Sequence, residues 1–103
     1  MIKKKKIAVV VPAYQEELLI GRVIETMPAF VDKIIVIDDC SMDKTAEVVN
    51  RYVKRQPKKV VLLRHETNQG VGGAIASGYK WCRDHDMDIA VVMAGDAQMD
   101  PAD

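Results

Sequence analysis

Carboxylate and amide side chains follow two apolar runs of the sequence, and their chemistry suits a nucleotide or a hard cation. The pair Asp38-Asp39 follows Ile34–Ile37, whereas Asp96 and Gln98 follow Ile89–Met93. Adjacent carboxylates repel each other, so we expect one of them either to cap the next helix or to accept a hydrogen bond from a ligand N–H, as uracil offers. A carboxylate and an amide two residues apart can form a polar turn or share Mg²⁺ or Mn²⁺ with phosphate oxygens and water.

A glycine-rich segment, Asn68-Gln69-Gly70-Val71-Gly72-Gly73, stands where a third helix is expected to begin. Glycine allows a ligand to approach the backbone, and the N–H groups at a helix start favour an anion. The segment does not match a dinucleotide fingerprint, because Ile75 replaces the third glycine and because it follows the third strand rather than the first. The chain contains no Gly-Lys-Ser/Thr sequence, which excludes an ordinary P-loop. Tight packing of a helix on a strand explains the glycines equally well.

The elements that must position these residues alternate along the chain. Short runs rich in β-branched residues predict strands covered on both faces, and segments with apolar residues at helical spacing predict helices between them. The pattern is β-α-β-α-β-α-β, which implies right-handed crossovers and a parallel sheet. Ligands of such sheets bind at the carboxyl ends of the strands. The predicted strands are Ile7–Val11, Ile34–Ile37, Val60–Leu63 and Ile89–Met93; the predicted helices lie within Leu19–Met27, within Ala46–Val53 with Ser41 or Asp43 as N-cap, and within Val71–Cys82.

Composition narrows the class of protein. The chain has 103 residues, a formal net charge of +0 and 49% hydrophobic residues, which suit one globular domain or part of one. A balanced charge gives no reason to expect a nucleic-acid partner, and we interpret Lys3–Lys6 as a solvated lead-in to the first strand. Two cysteines form no disulfide framework, and no apolar run has the length of a membrane helix. We therefore expect a cytoplasmic location.

Taken together, four motifs resemble the nucleotide-binding part of family 2 glycosyltransferases, the inverting enzymes with a GT-A fold. The resemblance covers nearly the whole chain and is closest to the branch of dolichyl- or polyprenyl-phosphate sugar transferases. The motifs are Val-Val-Pro-Ala-Tyr-Gln-Glu-Glu (10–17), Ile-Asp-Asp-Cys-Ser-Met-Asp (37–43), Asn-Gln-Gly-Val-Gly-Gly-Ala (68–74) and Gly-Asp-Ala-Gln-Met-Asp-Pro (95–101).

The resemblance implies a role for each candidate site residue. Asp39 would accept the N–H of uracil or guanine with support from Asp38, and Asp96 would be the metal-binding acid. The other implied positions are Pro12, Ala13, Tyr14 and Glu16 lining the nucleoside pocket, Gly70 and Gly72 beside the nucleotide backbone, and Gln98 at the metal or pyrophosphate. Ala94 departs from the family pattern, because it stands where the first acid of Asp-x-Asp is expected.

The resemblance also implies a reaction. A sugar would pass from a UDP- or GDP-sugar to an acceptor, such as a polyprenyl phosphate or a glycan, by a single in-line displacement with inversion and a divalent metal. We interpret residues 1–103 as the N-terminal nucleotide-sugar-binding portion of one GT-A domain, with the acceptor portion beyond residue 103. We therefore expect no turnover from this chain alone, a parent protein at the cytoplasmic face of a membrane, and self-association through an open sheet edge beside the fourth strand.

Other doubly wound proteins fit the sequence less well. A receiver-like signalling domain needs its acidic pair after the first strand, where this chain has Pro12-Ala13-Tyr14. A sugar nucleotidyltransferase needs a glycine-rich, arginine-containing loop there, and Gln15-Glu16-Glu17 does not supply one. A non-catalytic nucleotide-binding module remains an alternative, because the sequence motifs predict binding more directly than turnover.

Overall fold

The computed structural model describes residues 5–93, and its elements alternate as the sequence predicts. Each strand is a short apolar run and each helix follows a polar turn at a strand end. The strands are β1 (Ile7–Ala13), β2 (Lys33–Asp38), β3 (Val60–Arg64) and β4 (Ile89–Val92); the helices are α1 (Ile20–Glu25), α2 (Thr45–Arg55) and α3 (Gly70–Asp84).

The four strands form one parallel sheet in the order β3-β2-β1-β4. In the centre of the sheet, Val10 is paired with Ile35 on one side and with Val92 on the other. The fourth strand therefore lies next to the first, as the family topology implies. This arrangement confirms the α/β prediction of a Rossmann-like parallel sheet and directs the carboxyl ends of all four strands toward one edge.

Alternation along the strands divides the core between the two faces of the sheet. Val9, Val11 and Val36 pack with α1 and α2, whereas Val10 and Ile37 pack with α3. On the α3 face, a Cβ added at Gly78 would stand 2.3 Å from Val10 Cγ1. Gly78 therefore allows α3 to lie close to the sheet.

Two predictions about burial were wrong. The fourth strand is not covered on both faces, because Ile89 is 42% and Val91 48% exposed on the face that carries α1 and α2. Neither side chain belongs to the apolar cluster that α1 and α2 form with the sheet. Val71, assigned to the buried stripe of the third helix, is instead exposed, whereas Ala74, Gly78 and Cys82 are buried.

The helix boundaries also differ from those predicted. The first helix ends at Glu25, before the stripe that continues to Met27. The second begins at Thr45, so neither Ser41 nor Asp43 is its N-cap residue, although Asp43 Oδ1 accepts the Thr45 N–H at 3.0 Å. Between residues 5 and 93, no helix combines the length and the apolar content needed to span a bilayer.

Candidate functional site

The first three strands place polar residues side by side at their carboxyl ends. Ala13, Asp38 and Arg64 are paired across β1, β2 and β3 as the last residue of each strand. The next residues continue this alignment, because Asp39 N donates to Ala13 O at 2.9 Å and His65 N donates to Asp38 O at 2.9 Å. Asp39 and His65 are thereby held beside each other at the edge where α3 begins.

The carboxylate of Asp39 is buried against the N-terminus of α3. Its Oδ1 accepts the Gln69 N–H at 2.8 Å and lies 2.7 Å from His65 Nδ1, and its Oδ2 accepts the Gly70 N–H at 2.8 Å. Burial by itself raises the pKa of this carboxyl, but these hydrogen bonds to the charged form outweigh it and hold the pKa below its ordinary value. Asp39 is therefore an ionised acceptor that fixes the start of the helix.

His65 is hydrogen-bonded through both of its ring nitrogens. Nδ1 contacts Asp39, and Nε2 lies 2.8 Å from Ser77 Oγ on α3. His65 is thus held beside Asp39 by hydrogen bonds from both sides of its ring. Ser77 was missed, because a single serine inside a helix gives no signal in the sequence that it bonds a residue 12 positions away.

Asp38 and Asp39 avoid repulsion by facing opposite sides of the sheet. Asp38 is fully buried; its Oδ1 accepts the Ser41 N–H at 3.1 Å. Its Oδ2 lies 3.4 Å from Arg64 Nε and has no hydrogen-bond partner among residues 5–93. Asp38 therefore supports the β2–α2 loop from beneath and is placed too deep to contact a ligand in this conformation.

Side chains of the β2–α2 loop hold the β1–α1 loop in place. Ser41 Oγ accepts the Gln15 N–H at 2.8 Å, and Thr45 Oγ1 accepts the Glu16 N–H at 2.9 Å. Asp43 Oδ2 accepts the third N–H of this segment at 3.4 Å and bonds Thr45 as well. The sequence predicted Ser41 or Asp43 as a helix cap, whereas in the structure these two side chains and Thr45 accept three successive N–H groups of the β1–α1 loop.

The predicted nucleoside-pocket residues lie along this anchored segment. Tyr14 is half-exposed, Pro12 and Glu16 are partly buried, and Ala13 is buried beside Asp39. Cys40, next to the acidic pair, has a φ of 64°, a left-handed conformation that favours glycine. The structure thus brings Ala13, Asp39 and the start of α3 together, while Tyr14 projects from the same edge.

The glycines of α3 separate into two kinds. Gly70 has a φ of 79°, which a side chain would strain, and a Cβ added at Gly70 or Gly72 would meet no atom of residues 5–93 within 4 Å. By contrast, a Cβ at Gly73 would stand 2.7 Å from Gln69 Cβ. Packing among the described residues therefore accounts for Gly73 and Gly78 but not for Gly72, which lies two residues after the Gly70 N–H that bonds Asp39.

The predicted metal ligands Asp96 and Gln98, and the departure at Ala94, lie outside the described residues. Within 5–93, no group of three or more His, Cys, Asp or Glu side chains is arranged to hold a metal. The chain nevertheless leaves β4 beside β1, since Met93 N donates to Val10 O at 2.9 Å. A carboxylate and an amide oxygen just after this point have the hard-oxygen chemistry that Mg²⁺ and Mn²⁺ prefer, so the donor set fits such an ion.

Comparison with known proteins gives a family match. The model of a family described as "Glycosyl transferase family 2" matches residues 8–103. A UDP-N-acetylglucosamine–dolichyl-phosphate N-acetylglucosaminyltransferase of Methanococcus voltae is 34% identical over 111 aligned residues, which cover 96% of this chain and 44% of the relative. A dolichol-phosphate mannosyltransferase of Pyrococcus furiosus is 31% identical over 100 residues, covering 93% of this chain and 27% of the relative. This chain thus spans less than half the length of either relative.

Solved structures share the fold. The mannosyltransferase PcManGT from Pyrobaculum calidifontis, in complex with GDP-Man and Mn²⁺, superposes with a TM-score of 0.78 at 22% identity, over 91% of this chain and 28% of that one. S. aureus TarS in complex with UDP superposes with a TM-score of 0.70 at 26% identity, over 88% of this chain and 27% of that one. Both are larger chains of which the four-stranded unit forms one part.

Proposed function

Because the chain belongs to glycosyl transferase family 2, we propose that the protein transfers a sugar from a UDP- or GDP-sugar to a polyprenyl-phosphate acceptor, with inversion and a divalent metal. Residues 1–103 supply the nucleotide-sugar-binding portion, and the acceptor site lies beyond them. The names of the dolichyl-phosphate relatives support the acceptor, and the nucleotides bound to the two similar structures support the donor.

The observation that carries the proposal is the buried, ionised carboxylate of Asp39 beside open space at Gly70 and Gly72. Uracil and guanine each present an N–H next to a carbonyl, and a carboxylate is the natural acceptor for that N–H. The half-exposed Tyr14 on the neighbouring strand end gives an aromatic face of suitable size for a base. Asp39, Gly70 and Gly72 are therefore proposed to bind the nucleotide, together with Pro12, Ala13, Tyr14 and Glu16.

Electrostatics at this edge supports a metal. The negative charge of Asp39 already occupies the first N–H groups of α3, so a diphosphate bound nearby meets a like charge. A cation held by Asp96 and Gln98 would offset that repulsion and neutralise the departing nucleoside diphosphate. Asp38 contributes indirectly by holding the β2–α2 loop, and the chain's own residues otherwise bind and orient the donor.

The chemistry of the acceptor supports a phosphate rather than a hydroxyl. A phosphate oxygen is already ionised near neutral pH and can attack the anomeric carbon without a general base, whereas a sugar hydroxyl requires one. We expect the full-length protein to transfer sugar from a UDP- or GDP-sugar to a polyprenyl phosphate in detergent, and the 103-residue chain alone to transfer none. Transfer by the isolated chain would contradict the proposal that the acceptor site lies outside residues 1–103.

Donor binding is tested first by calorimetric titration of the full-length protein with UDP and GDP, each with and without Mn²⁺. We expect one nucleotide to bind more tightly with the metal. Asp39→Asn should weaken that binding by about tenfold or more, since it removes a charge-assisted hydrogen bond. Asp96→Ala should abolish the metal dependence.

A matched control is Asp84→Asn, which alters a half-exposed carboxylate at the last residue of α3. We expect this variant to bind as the wild type does. A folded protein that binds neither nucleotide under any of these conditions would refute the proposed donor site.

The uncovered face of β4 supports a further part of the proposal, self-association of the isolated chain. Ile89 and Val91 are large apolar side chains exposed together on one face, beside the edge of the described sheet. Exposed edges of this kind pair readily with other chains. Light scattering should show a mass that rises with concentration, and Val91→Lys should reduce that rise. A constant monomer mass would contradict self-association.

A further inference from the structure

Three side chains from separate parts of the sequence form a continuous, partly buried hydrogen-bonded chain at the start of α3. Asp39 Oδ1 lies 2.7 Å from His65 Nδ1, and His65 Nε2 lies 2.8 Å from Ser77 Oγ. The side chains of His65 and Asp39 are only 9% and 6% exposed. The chain joins the end of β2 to the residue after β3 and to the middle of α3.

The direction of each hydrogen bond follows from the chemistry of its atoms. An ionised carboxylate can only accept, so His65 Nδ1 must carry a proton and donate it to Asp39. In the neutral imidazole, Nε2 is then an acceptor and receives the hydroxyl proton of Ser77. Asp39 therefore fixes the tautomer of His65, Ser77 holds the orientation of the ring, and His65 in turn holds the position of the carboxylate.

The two oxygens of Asp39 are left in different states. Oδ1 receives two donors, His65 Nδ1 and Gln69 N, which fill the two lone pairs of a carboxylate oxygen. Among residues 5–93, Oδ2 receives a single donor, the Gly70 N–H. The space beside Gly70 is open where a Cβ would stand, so the oxygen with remaining capacity is the one next to that space.

We propose that His65 and Ser77 are positioning residues that saturate Asp39 Oδ1 and so reserve Oδ2 for the N–H of the donor's base. This inference rests on the proposed function, in which Asp39 recognises that base. By holding one oxygen, the pair sets the direction in which the carboxylate accepts. His65 and Ser77 thereby favour bases that present an N–H at this position, without contacting the nucleotide.

The order Ser-His-Asp also occurs in hydrolases, where the serine is a nucleophile, but the surroundings of Ser77 exclude that role. Ser77 lies in the interior of α3, which runs from Gly70 to Asp84. The backbone N–H groups around it are hydrogen-bonded within the helix. None of them can stabilise an oxyanion, as nucleophilic catalysis by a serine requires.

The test compares nucleotides that differ at the atom facing Asp39. Uracil carries a proton on N3, whereas cytosine N3 is an acceptor; guanine carries a proton on N1, whereas adenine N1 is an acceptor. Calorimetry on the full-length protein with Mn²⁺ gives the affinity ratio of UDP to CDP, or of GDP to ADP if guanosine is the preferred nucleoside. If the Asp39 carboxylate is no longer positioned, this ratio falls. A general loss of structure instead weakens the binding of both nucleotides equally.

His65→Leu should lower the ratio roughly 5- to 20-fold, because the acceptor loses its fixed direction. His65→Asn keeps an N–H close to the position of Nδ1 and should restore the ratio to within about threefold of the wild type. Ser77→Ala removes only the hydroxyl and should lower the ratio by about two- to fivefold. This smaller change gives a second test if His65→Leu does not fold.

His85→Leu is the matched control, because His85 follows the far end of α3 and bonds Trp81 of the same helix. Its ratio should equal that of the wild type. A wild-type protein that discriminates between the nucleotides, with a ratio unchanged in His65→Leu and Ser77→Ala, would overturn the positioning role alone. A wild-type protein that shows no discrimination would overturn the proposed recognition by Asp39 and the positioning role with it.

Discussion

Gly72 and Gly78 both belong to α3, but a methyl group would have opposite effects at the two positions. At Gly72 it would enter open space, and at Gly78 it would stand 2.3 Å from Val10 Cγ1 and 3.0 Å from Ile37 Cδ1. Packing therefore requires glycine at one position only. The proposed approach of the donor to the backbone gives a reason for the other.

We expect Gly72→Ala to raise the free energy of unfolding by about 0.4–1 kcal/mol, because alanine lowers the entropy of the unfolded chain. The same change should weaken nucleotide binding by about tenfold, since the methyl group would occupy space needed by the ligand. Urea unfolding and calorimetry measure the two effects.

Gly78→Ala is the comparison at the buried position and should lower stability by about 1–3 kcal/mol. If Gly72→Ala bound nucleotide as tightly as the wild type, the open space beside α3 would not be part of the donor site.

At the level of single residues, the sequence predicted which positions share the carboxyl edge of the sheet better than which contacts they make. Asp39 and Gly70 were identified from their place after strands, and the structure brings them into contact. The bond from His65 to Ser77 could not be predicted, because it depends on the rotation of α3 over the sheet. The opposite orientations of Asp38 and Asp39 follow from strand alternation and could have been derived from the sequence.

The β1–α1 loop depends on a neighbouring element more than on its own residues. Thr45, the first residue of α2, is fully buried, and its hydroxyl accepts the Glu16 N–H and contacts Asp43. This one side chain couples two loops at the carboxyl edge of the sheet. The position of Tyr14, just before the coupled segment, depends on the same contact.

We expect Thr45→Val to lower stability by about 1–3 kcal/mol, because it leaves the partly buried Glu16 N–H without its Thr45 acceptor. Thr45→Ser keeps the hydroxyl but loses a buried methyl group, which costs about 1 kcal/mol. Hydrogen exchange at the Glu16 amide distinguishes the two variants, because its rate should increase in Thr45→Val only. Equal protection in both variants would show that the loop does not depend on this bond.

The elements themselves were predictable because apolar runs and helical stripes are properties of the local sequence. The exposed face of β4 was not predictable. The apolar sequence of Ile89–Val92 is typical of a strand buried on both faces, whether or not other elements cover it. Coverage depends on which elements pack against this face, and neither Ile89 nor Val91 joins the apolar cluster that α1 and α2 form with the sheet.

The stability of the whole described unit should depend on pH through two carboxylates at its carboxyl edge. For both Asp39 and Asp43, burial raises the pKa, but hydrogen bonds to the charged form outweigh burial and lower the pKa below its ordinary value. The unfolded chain therefore binds protons at a higher pH than the folded chain does. The stabilisation by these two carboxylates is complete above their pKa in the unfolded chain, which is about 4. It is lost as the pH falls through their lower pKa values in the folded chain.

Urea unfolding should give a midpoint that changes little from pH 7 to about pH 5 and then falls as the pH is lowered toward about 3. Asp39→Asn and Asp43→Asn should each be less stable than the wild type at pH 7, because an amide cannot replace every hydrogen bond of the carboxylate. Each should also lose less stability on acidification, because the group that takes up the proton is gone. A double variant that lost as much stability as the wild type over this range would assign the acid sensitivity to other carboxylates. The edge that holds the candidate site would then not be the part of the fold that acid destabilises first.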